Sequence, residues 1–252
     1  MPAARESVCG SVLRNKKTSS VVIDWKKMIF WLLLPVLLPA AATARNPAAG
    51  CHCFRERTYD PARPFVADDY LLTTVFNSLI ARVFDISKQR IIMMKMRGAI
   101  DGDALIVGLY AARHTGADLN LLLSIHKVGG HWSEIFSSGD FPLDKGTPLM
   151  KKIASGMGDG AAAEAVTREI IGEYFQIPKE EVNASLKRGL SPKELVFVLT
   201  MARHARRQPD EIAAMYQPDG KSWSKIAHEL GLSPRDAGRL IYDAPAFGFP
   251  GS

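Results

Sequence analysis

From Asp60 onward, apolar residues recur at three- and four-residue intervals and strand-type alternation is absent. Val66 to Val83 is the longest such stretch, with Leu71, Val75, Leu79 and Ile80 on one predicted helix face. Ser87–Arg97 follows and is closed by Gly98. Asp101–His114 is closed by Gly116, and Ala117–Lys127 and His131–Ser137 complete a set of five predicted helices. Ser155-Gly156-Met157-Gly158-Asp159-Gly160 then interrupts the pattern. With no strand before it and no Gly-Lys-Ser/Thr after it, this segment reads as a linker and not as a phosphate loop.

After the linker the same text begins again. Phe84, Ile86 and Lys88 recur as Phe175, Ile177 and Lys179, 91 positions on, and Arg97-Gly98 recurs as Arg188-Gly189. Val107 returns as Val198, while Ala112-Arg113-His114 returns 90 positions on as Ala202-Arg203-His204. That change of offset implies one residue lost within the helix region. Gly129, Trp132-Ser133 and Ile135 return as Gly220, Trp223-Ser224 and Ile226, again 91 positions on. Thirteen identities over about 52 positions exceed what helical composition alone gives. The expectation is an all-α fold of two tandem modules of about five short helices each. They occupy 64–150 and 161–243, joined by a Gly-rich linker at 151–160 and followed by a tail at 244–252, and pack end to end as in short helical solenoids.

The second copy marks its helix ends clearly. Ser191-Pro192-Lys193-Glu194 has the form of a capping box with Pro at the first helical position, where its missing N–H is no loss. Gln208-Pro209-Asp210-Glu211 opens another helix with acid at the positive end of the dipole. Ser222 caps the helix that carries Trp223 and Ile226, Gly231 ends it, and Ser233-Pro234-Arg235-Asp236 opens the last.

Ahead of the helices stands an uncharged run, Met28 to Ala44, preceded by Lys26-Lys27 and ending in Ala42-Thr43-Ala44. A basic flank, a short apolar run and a small-x-small end are the parts of a secretory leader cleaved after Ala44. Pro35 and Pro39 and the short length favour cleavage over a permanent anchor, and Met28 is a second candidate start. Either way the lysines hold the amino end inside and send the rest out. The chain carries 32 Lys and Arg against 26 Asp and Glu, but six of those cations and only two of the acids lie in residues 1–44. The remainder is close to neutral, so composition makes no case for nucleic acid.

Residues 45–63 form a tail containing Cys51-His52-Cys53. Small residues before Cys51 give it a partial resemblance to a lipoprotein signal, with Cys51 as the lipidated residue. The three side chains are also a metal candidate that lacks a fourth ligand, and a redox candidate through a strained bridge between Cys51 and Cys53.

Elsewhere the chemistry is sparse. No nucleophile elbow, zinc-protease motif, phosphate loop or dinucleotide fingerprint is present, and no cofactor is expected. Asp101-Gly102-Asp103 lacks the later ligands of a calcium loop and reads as a helix start. Arg113-His114 and Arg203-His204 read as a copied structural surface, with Arg reaching a carboxylate and His half-buried. Trp132, Ile135, Trp223 and Ile226 read as core anchors of the repeat. His126 and His131 flank a Gly-Gly turn with no third metal ligand nearby in sequence. Met93, Met94 and Met96 cluster on one helix and are a candidate contact surface, with core filling as the alternative.

The segment Ser222-Trp223-Ser224-Lys225-Ile226-Ala227-His228-Glu229-Leu230-Gly231-Leu232-Ser233-Pro234 resembles the helix-turn-helix of sigma-factor and response-regulator DNA-binding domains. The resemblance implies that the next helix enters a major groove, with Arg235 and Arg239 as contacts and Asp236 opposing them. It covers about 20 residues of 252, and the first copy lacks it. The sequence thus predicts an exported, periplasmic or membrane-associated protein with a non-enzymatic binding or structural role. Its expected partner is a protein of the cell envelope, with membrane contact through the leader or a lipid. DNA binding is the alternative if the leader is not used.

Overall fold

In the computed structural model, the described residues are 54, 56–96, 100–216 and 220–243, and they form twelve α-helices and one 3-10 turn with no strand. The fold is all-α. In chain order the helices are α1 (Asp68–Val83), α2 (Lys88–Met96), α3 (Gly102–Thr115), α4 (Leu119–Lys127), α5 (Trp132–Ser137) and α6 (Pro148–Ala154). They continue with α7 (Asp159–Phe175), α8 (Lys179–Lys187), α9 (Pro192–Ala205), α10 (Pro209–Tyr216), α11 (Trp223–Glu229) and α12 (Pro234–Tyr242). A 3-10 turn at Leu143–Lys145 precedes α6.

The helix bounds carry the offsets of the expected sequence repeat. Helix α8 begins and ends 91 residues after α2, and α9 begins and ends 90 residues after α3. Five residues separate α2 from α3 and four separate α8 from α9, so the missing residue lies in that loop and not inside the helix. Val107 therefore stands opposite Phe197 and not Val198. Each copy also has a sixth helix. The Thr147 hydroxyl accepts from the Met150 amide and opens α6, and Ser233 does the same for α12 from the Asp236 amide. The linker expected at 151–160 is correspondingly short, because α6 runs to Ala154 and α7 starts at Asp159.

Capping accounts for several of the boundaries. Ser191 and Glu194 close a reciprocal box with Pro192 at the first position, and Ser222 accepts from Lys225. Gly116 ends α3 in the left-handed region, where a side chain would strain the backbone. The equivalent position after α9 is Arg206, which takes the same conformation at φ 54° without that freedom.

Helix α1 departs from its expected one-sided burial. Leu71, Val75, Leu79 and Ile80 are buried, but so are Thr73, Thr74, Asn77 and Ser78 on its other side. The reason is its place: α1 packs against α2, α9, α11 and α12 at once. Its buried polar groups all find partners. Ser78 donates to the Thr74 carbonyl (2.9 Å), Lys95 donates to Asn77 (3.0 Å) and Lys193 to Thr73 (3.2 Å).

Those contacts also show how the copies join. Helix α1 of the first copy lies on α9, α11 and α12 of the second, and α7 of the second lies on α3, α5 and α6 of the first. The modules are not stacked end to end. Each supplies its first helix to the core of the other, and one continuous apolar core results. Helices α1 and α12 approach closely at Gly238, where a Cβ would stand 2.9 Å from Ser78 Oγ and 3.0 Å from Thr74 Cγ2. The Tyr174 hydroxyl, on α7, donates to the Ile241 carbonyl (2.8 Å) at the end of α12.

Candidate functional site

The most elaborate polar constructions are two latches whose acids stand 91 positions apart. Asp68, at the start of α1, accepts from the Trp223 amide (3.1 Å) and the Ser224 amide (2.8 Å) and hydroxyl (2.6 Å). Its counterpart 91 positions on, Asp159 at the start of α7, accepts from the Trp132 amide (3.0 Å). Each acid thus caps the Trp-bearing helix of the opposite copy. Trp132, Trp223, Ile135 and Ile226 are buried beneath these caps. A stacked ring covers each indole: Tyr216 on Trp223 at 4.1 Å and His126 on Trp132 at 4.7 Å.

The chemistry of the two latches differs. Burial pushes Asp68 above the ordinary carboxylate range, against the pull of its bonds to Ser224 and Trp223. Burial also opposes ionisation of Asp159, but the Trp132 amide and the neighbouring imidazoles outweigh it and hold this acid low. Asp159 Oδ2 is shared by His126 Nε2 (3.3 Å) and His131 Nδ1 (3.1 Å). The hydrogen bond to Asp159 raises the affinity of His131 for its proton. Sequence reading found the two histidines but not the acid that joins them. The available signal was the position 91 residues after Asp68, a residue given no role. Among the described residues no group of three or more His, Cys, Asp or Glu is placed to hold a metal ion.

A second polar chain links α3, α6, α7 and α8. The Tyr110 hydroxyl bonds Thr147 Oγ1 (3.0 Å) and donates to Glu169 Oε1 (3.1 Å), and Lys179 Nζ donates to Glu169 Oε2 (2.7 Å). Burial pushes the Tyr110 phenol far up, so it serves as a donor and not as a nucleophile. His114 packs tilted against Tyr110 at 4.5 Å and is half-buried, which lowers its proton affinity, as does Arg113. Arg203 does not repeat that arrangement: it lies over the Phe175 ring at 5.2 Å and donates to the Phe175 carbonyl, and His204 is exposed. The Arg-His pair is therefore copied in sequence but not in environment.

Exposed apolar side chains concentrate on one pair of helices. Met93 (42% exposed) and Met96 (53%) project from α2, and Met94 packs partly into the core. Leu121 (59%), Ile125 and Val128 (86%) form a stripe along α4 and its cap. The equivalent positions of the second copy read differently. Ala184 and Lys187 stand for Met93 and Met96, and Glu211 stands for Leu121.

The helix-turn-helix segment is built as α11, a four-residue turn through Gly231 at φ 77°, and α12. Ala237, Gly238 and Ile241 face the core, and Arg235, Arg239 and Tyr242 are exposed. Ala44 and Cys51, His52 and Cys53 lie outside the described residues. Among those described, no helix is long and apolar enough to cross a membrane. No protein-family model, curated protein or solved structure matches the chain.

Proposed function

We propose that this is an exported helical-repeat protein of the cell envelope that works by binding another protein without catalysis. The binding face is the pair of lateral helices α2 and α4 of the first copy. One observation carries the reading: Met93, Met96, Leu121, Ile125 and Val128 are exposed in the first copy. The fold does not require large apolar residues at all of these positions, because the second copy has Lys187 for Met96, Glu211 for Leu121 and the smaller Ala184 for Met93, while Met215 stands for Ile125. Clustered exposed apolar side chains mark contact surfaces, and flexible Met suits an irregular partner. The partner is accordingly a protein that presents an apolar face. The uncharged run 28–44 behind Lys26-Lys27 supports the envelope location.

The test combines location with contact. Alkaline phosphatase fused after Ser252 is active only outside the cytoplasm, so activity is expected. A photo-crosslinking residue at Leu121 or Val128 should give one discrete protein adduct that is lost in Met96→Lys, and the same probe at Ala184 or Glu211 should give none. Equal adducts from both copies would overturn the assigned face. A silent, well-expressed fusion would overturn export and favour the second reading, a cytoplasmic DNA-binding protein. That reading is supported by the α11–turn–α12 geometry and the exposed Arg235 and Arg239. It predicts DNA affinity that falls steeply with salt. A third role, redox or metal chemistry at Cys51, His52 and Cys53, predicts a change in thiol count or bound metal when both cysteines are replaced.

A further inference from the structure

Between α6, α7 and α8 lies an open cleft of about 370 Å3. Lys152 enters it from α6, Arg168 and Glu169 from α7, and Lys179 and Asn183 from α8. Three cations therefore face one carboxylate. Both oxygens of that carboxylate are engaged, Oε1 by Tyr110 and Oε2 by Lys179. Arg168 pairs with Glu164 at 3.4 Å one turn before it on α7, and among the described residues Lys152 makes no ion pair.

The duplication provides an internal control. The equivalent space of the other copy, between α12, α1 and α2, is closed. Gly238 stands there where Lys152 stands here, and Thr74, Ser78 and Lys88 replace Ala165, Glu169 and Lys179. A Cβ on Gly238 would lie 2.9 Å from Ser78 Oγ and 3.2 Å from Lys88 Nζ, so any side chain there must displace its neighbours. The same architecture can thus pack this junction tightly, as it does at α12–α1–α2, and at α6–α7–α8 it does not. What stands there instead is a set of hydrogen-bond donors with an excess of positive charge.

We infer that the α6–α7–α8 cleft binds a small dianion of the phosphate-monoester class. Lys152 and Arg168 contact its oxygens, Asn183 donates from its amide, and Lys179 is held in place by Glu169, which Tyr110 orients in turn. Such a ligand matches the donors in charge and number, and the planar Arg fork suits two phosphate oxygens at once. The phosphate can belong to a soluble ester or to a lipid headgroup, and both present the same chemistry to the cleft. This site is independent of the α2–α4 face.

The experiment is a calorimetric titration of the full-length chain at low salt. Separate arms use inorganic phosphate, glycerol 3-phosphate and vesicles containing phosphatidic acid. Saturable binding in at least one arm at millimolar concentration is expected, and the arm that binds most tightly identifies the source. Lys152→Met and Arg168→Gln should each weaken it by about tenfold, and Lys187→Gln, on α8 outside the cleft, should stay within about twofold. Unchanged far-UV helicity certifies that each variant is folded. Should Lys152→Met lose its fold, Lys152→Gln gives the same reading. No binding in any arm, or binding that Lys152 and Arg168 variants leave unaltered, overturns the proposal.

Discussion

Removing Asp68 should cost more stability than removing its duplicate Asp159, although both cap a Trp-bearing helix. In Asp68→Ala, three contacts disappear: the amides of Trp223 (3.1 Å) and Ser224 (2.8 Å), and the Ser224 hydroxyl (2.6 Å). Loss of a helix cap typically costs about 0.5–2 kcal/mol, and a hydrogen bond to a charged group contributes about 1.5–3 kcal/mol. The contributions are not additive, because the same burial that isolates these donors also opposes ionisation of the acid, as its raised proton affinity shows. A net loss of about 2–3 kcal/mol follows. Asp159→Ala removes one backbone contact, to Trp132, and two imidazole contacts, to His126 and His131, at a more open, solvent-screened site, so a loss of about 1–2 kcal/mol is expected. Asp68→Asn keeps an acceptor in place and sheds the buried charge, so it should fall between wild type and Asp68→Ala. Urea unfolding followed by circular dichroism measures all three, with an unchanged m-value as the check on two-state behaviour. A cost for Asp159→Ala equal to or above that of Asp68→Ala would refute the assignment of α1 as the more deeply buried capping helix.

Trp223→Ala should cost about 3–5 kcal/mol, because the indole is buried between Phe197 and Tyr216 and its Nε1 donates to Glu194 at 3.0 Å. A near-zero loss in the same urea assay would remove the ring from the core. Gly238→Ala should destabilise by about 1–3 kcal/mol, since Ser78 Oγ is already committed to the Thr74 carbonyl and has little room to retreat. The latch at Asp159 should also be pH-dependent. Asp159 is held below its ordinary 3.8, so its contribution is complete above that value and is lost as pH falls through the lower folded value. His131 is raised above 6.5, so its contribution is complete below 6.5 and is lost as pH rises through the higher folded value. The stability difference between wild type and Asp159→Asn should therefore peak between those limits and shrink on both sides. A difference that is flat from pH 4 to pH 9 would show that the imidazoles do not bond this acid.

The local structure was legible because it is set by neighbours in sequence. The Ser191 and Ser233 boxes, the acid-headed α8 and α10 and the left-handed Gly116 and Gly231 each follow from a few adjacent residues. Helix α6 was missed for a related reason. Thr147-Pro148 repeats Ser233-Pro234, but five extra residues shift its offset to 86 and hide it from a search at 91. What depends on long-range geometry was not legible. Thr73, Asn77 and Ser78 give α1 an amphipathic pattern, yet their polar groups are buried because Lys193 and Lys95 reach them from α9 and α2. Asp159 was likewise invisible as a partner of two histidines about thirty positions earlier, since only the fold brings α7 beside α5.

The exchanged first helices decide which fragment of the chain can fold. A cut in the link between Ala154 and Asp159 separates the sequence copies, but it also strips α1 from α9, α11 and α12 and α7 from α3, α5 and α6. Each half then exposes the faces of Ile106, Phe197, Trp132 and Trp223 that the other half covers. Exposing a fully buried large apolar side chain costs about 1.5–3 kcal/mol, so even two such losses in each half remove much of the about 5–15 kcal/mol that holds a domain together. Residues 56–157 and 158–243 expressed separately should therefore be poorly ordered, and mixing them should restore helicity and a cooperative urea transition in a one-to-one complex. A segment cut to follow packing instead, 86–178, keeps α7 with α3, α5 and α6 and should retain more helix than 56–157. If 56–157 folds cooperatively alone, the sequence repeat and the folding unit coincide, and the reciprocal capping by Asp68 and Asp159 is an ornament of the interface instead of the reason the copies cannot part.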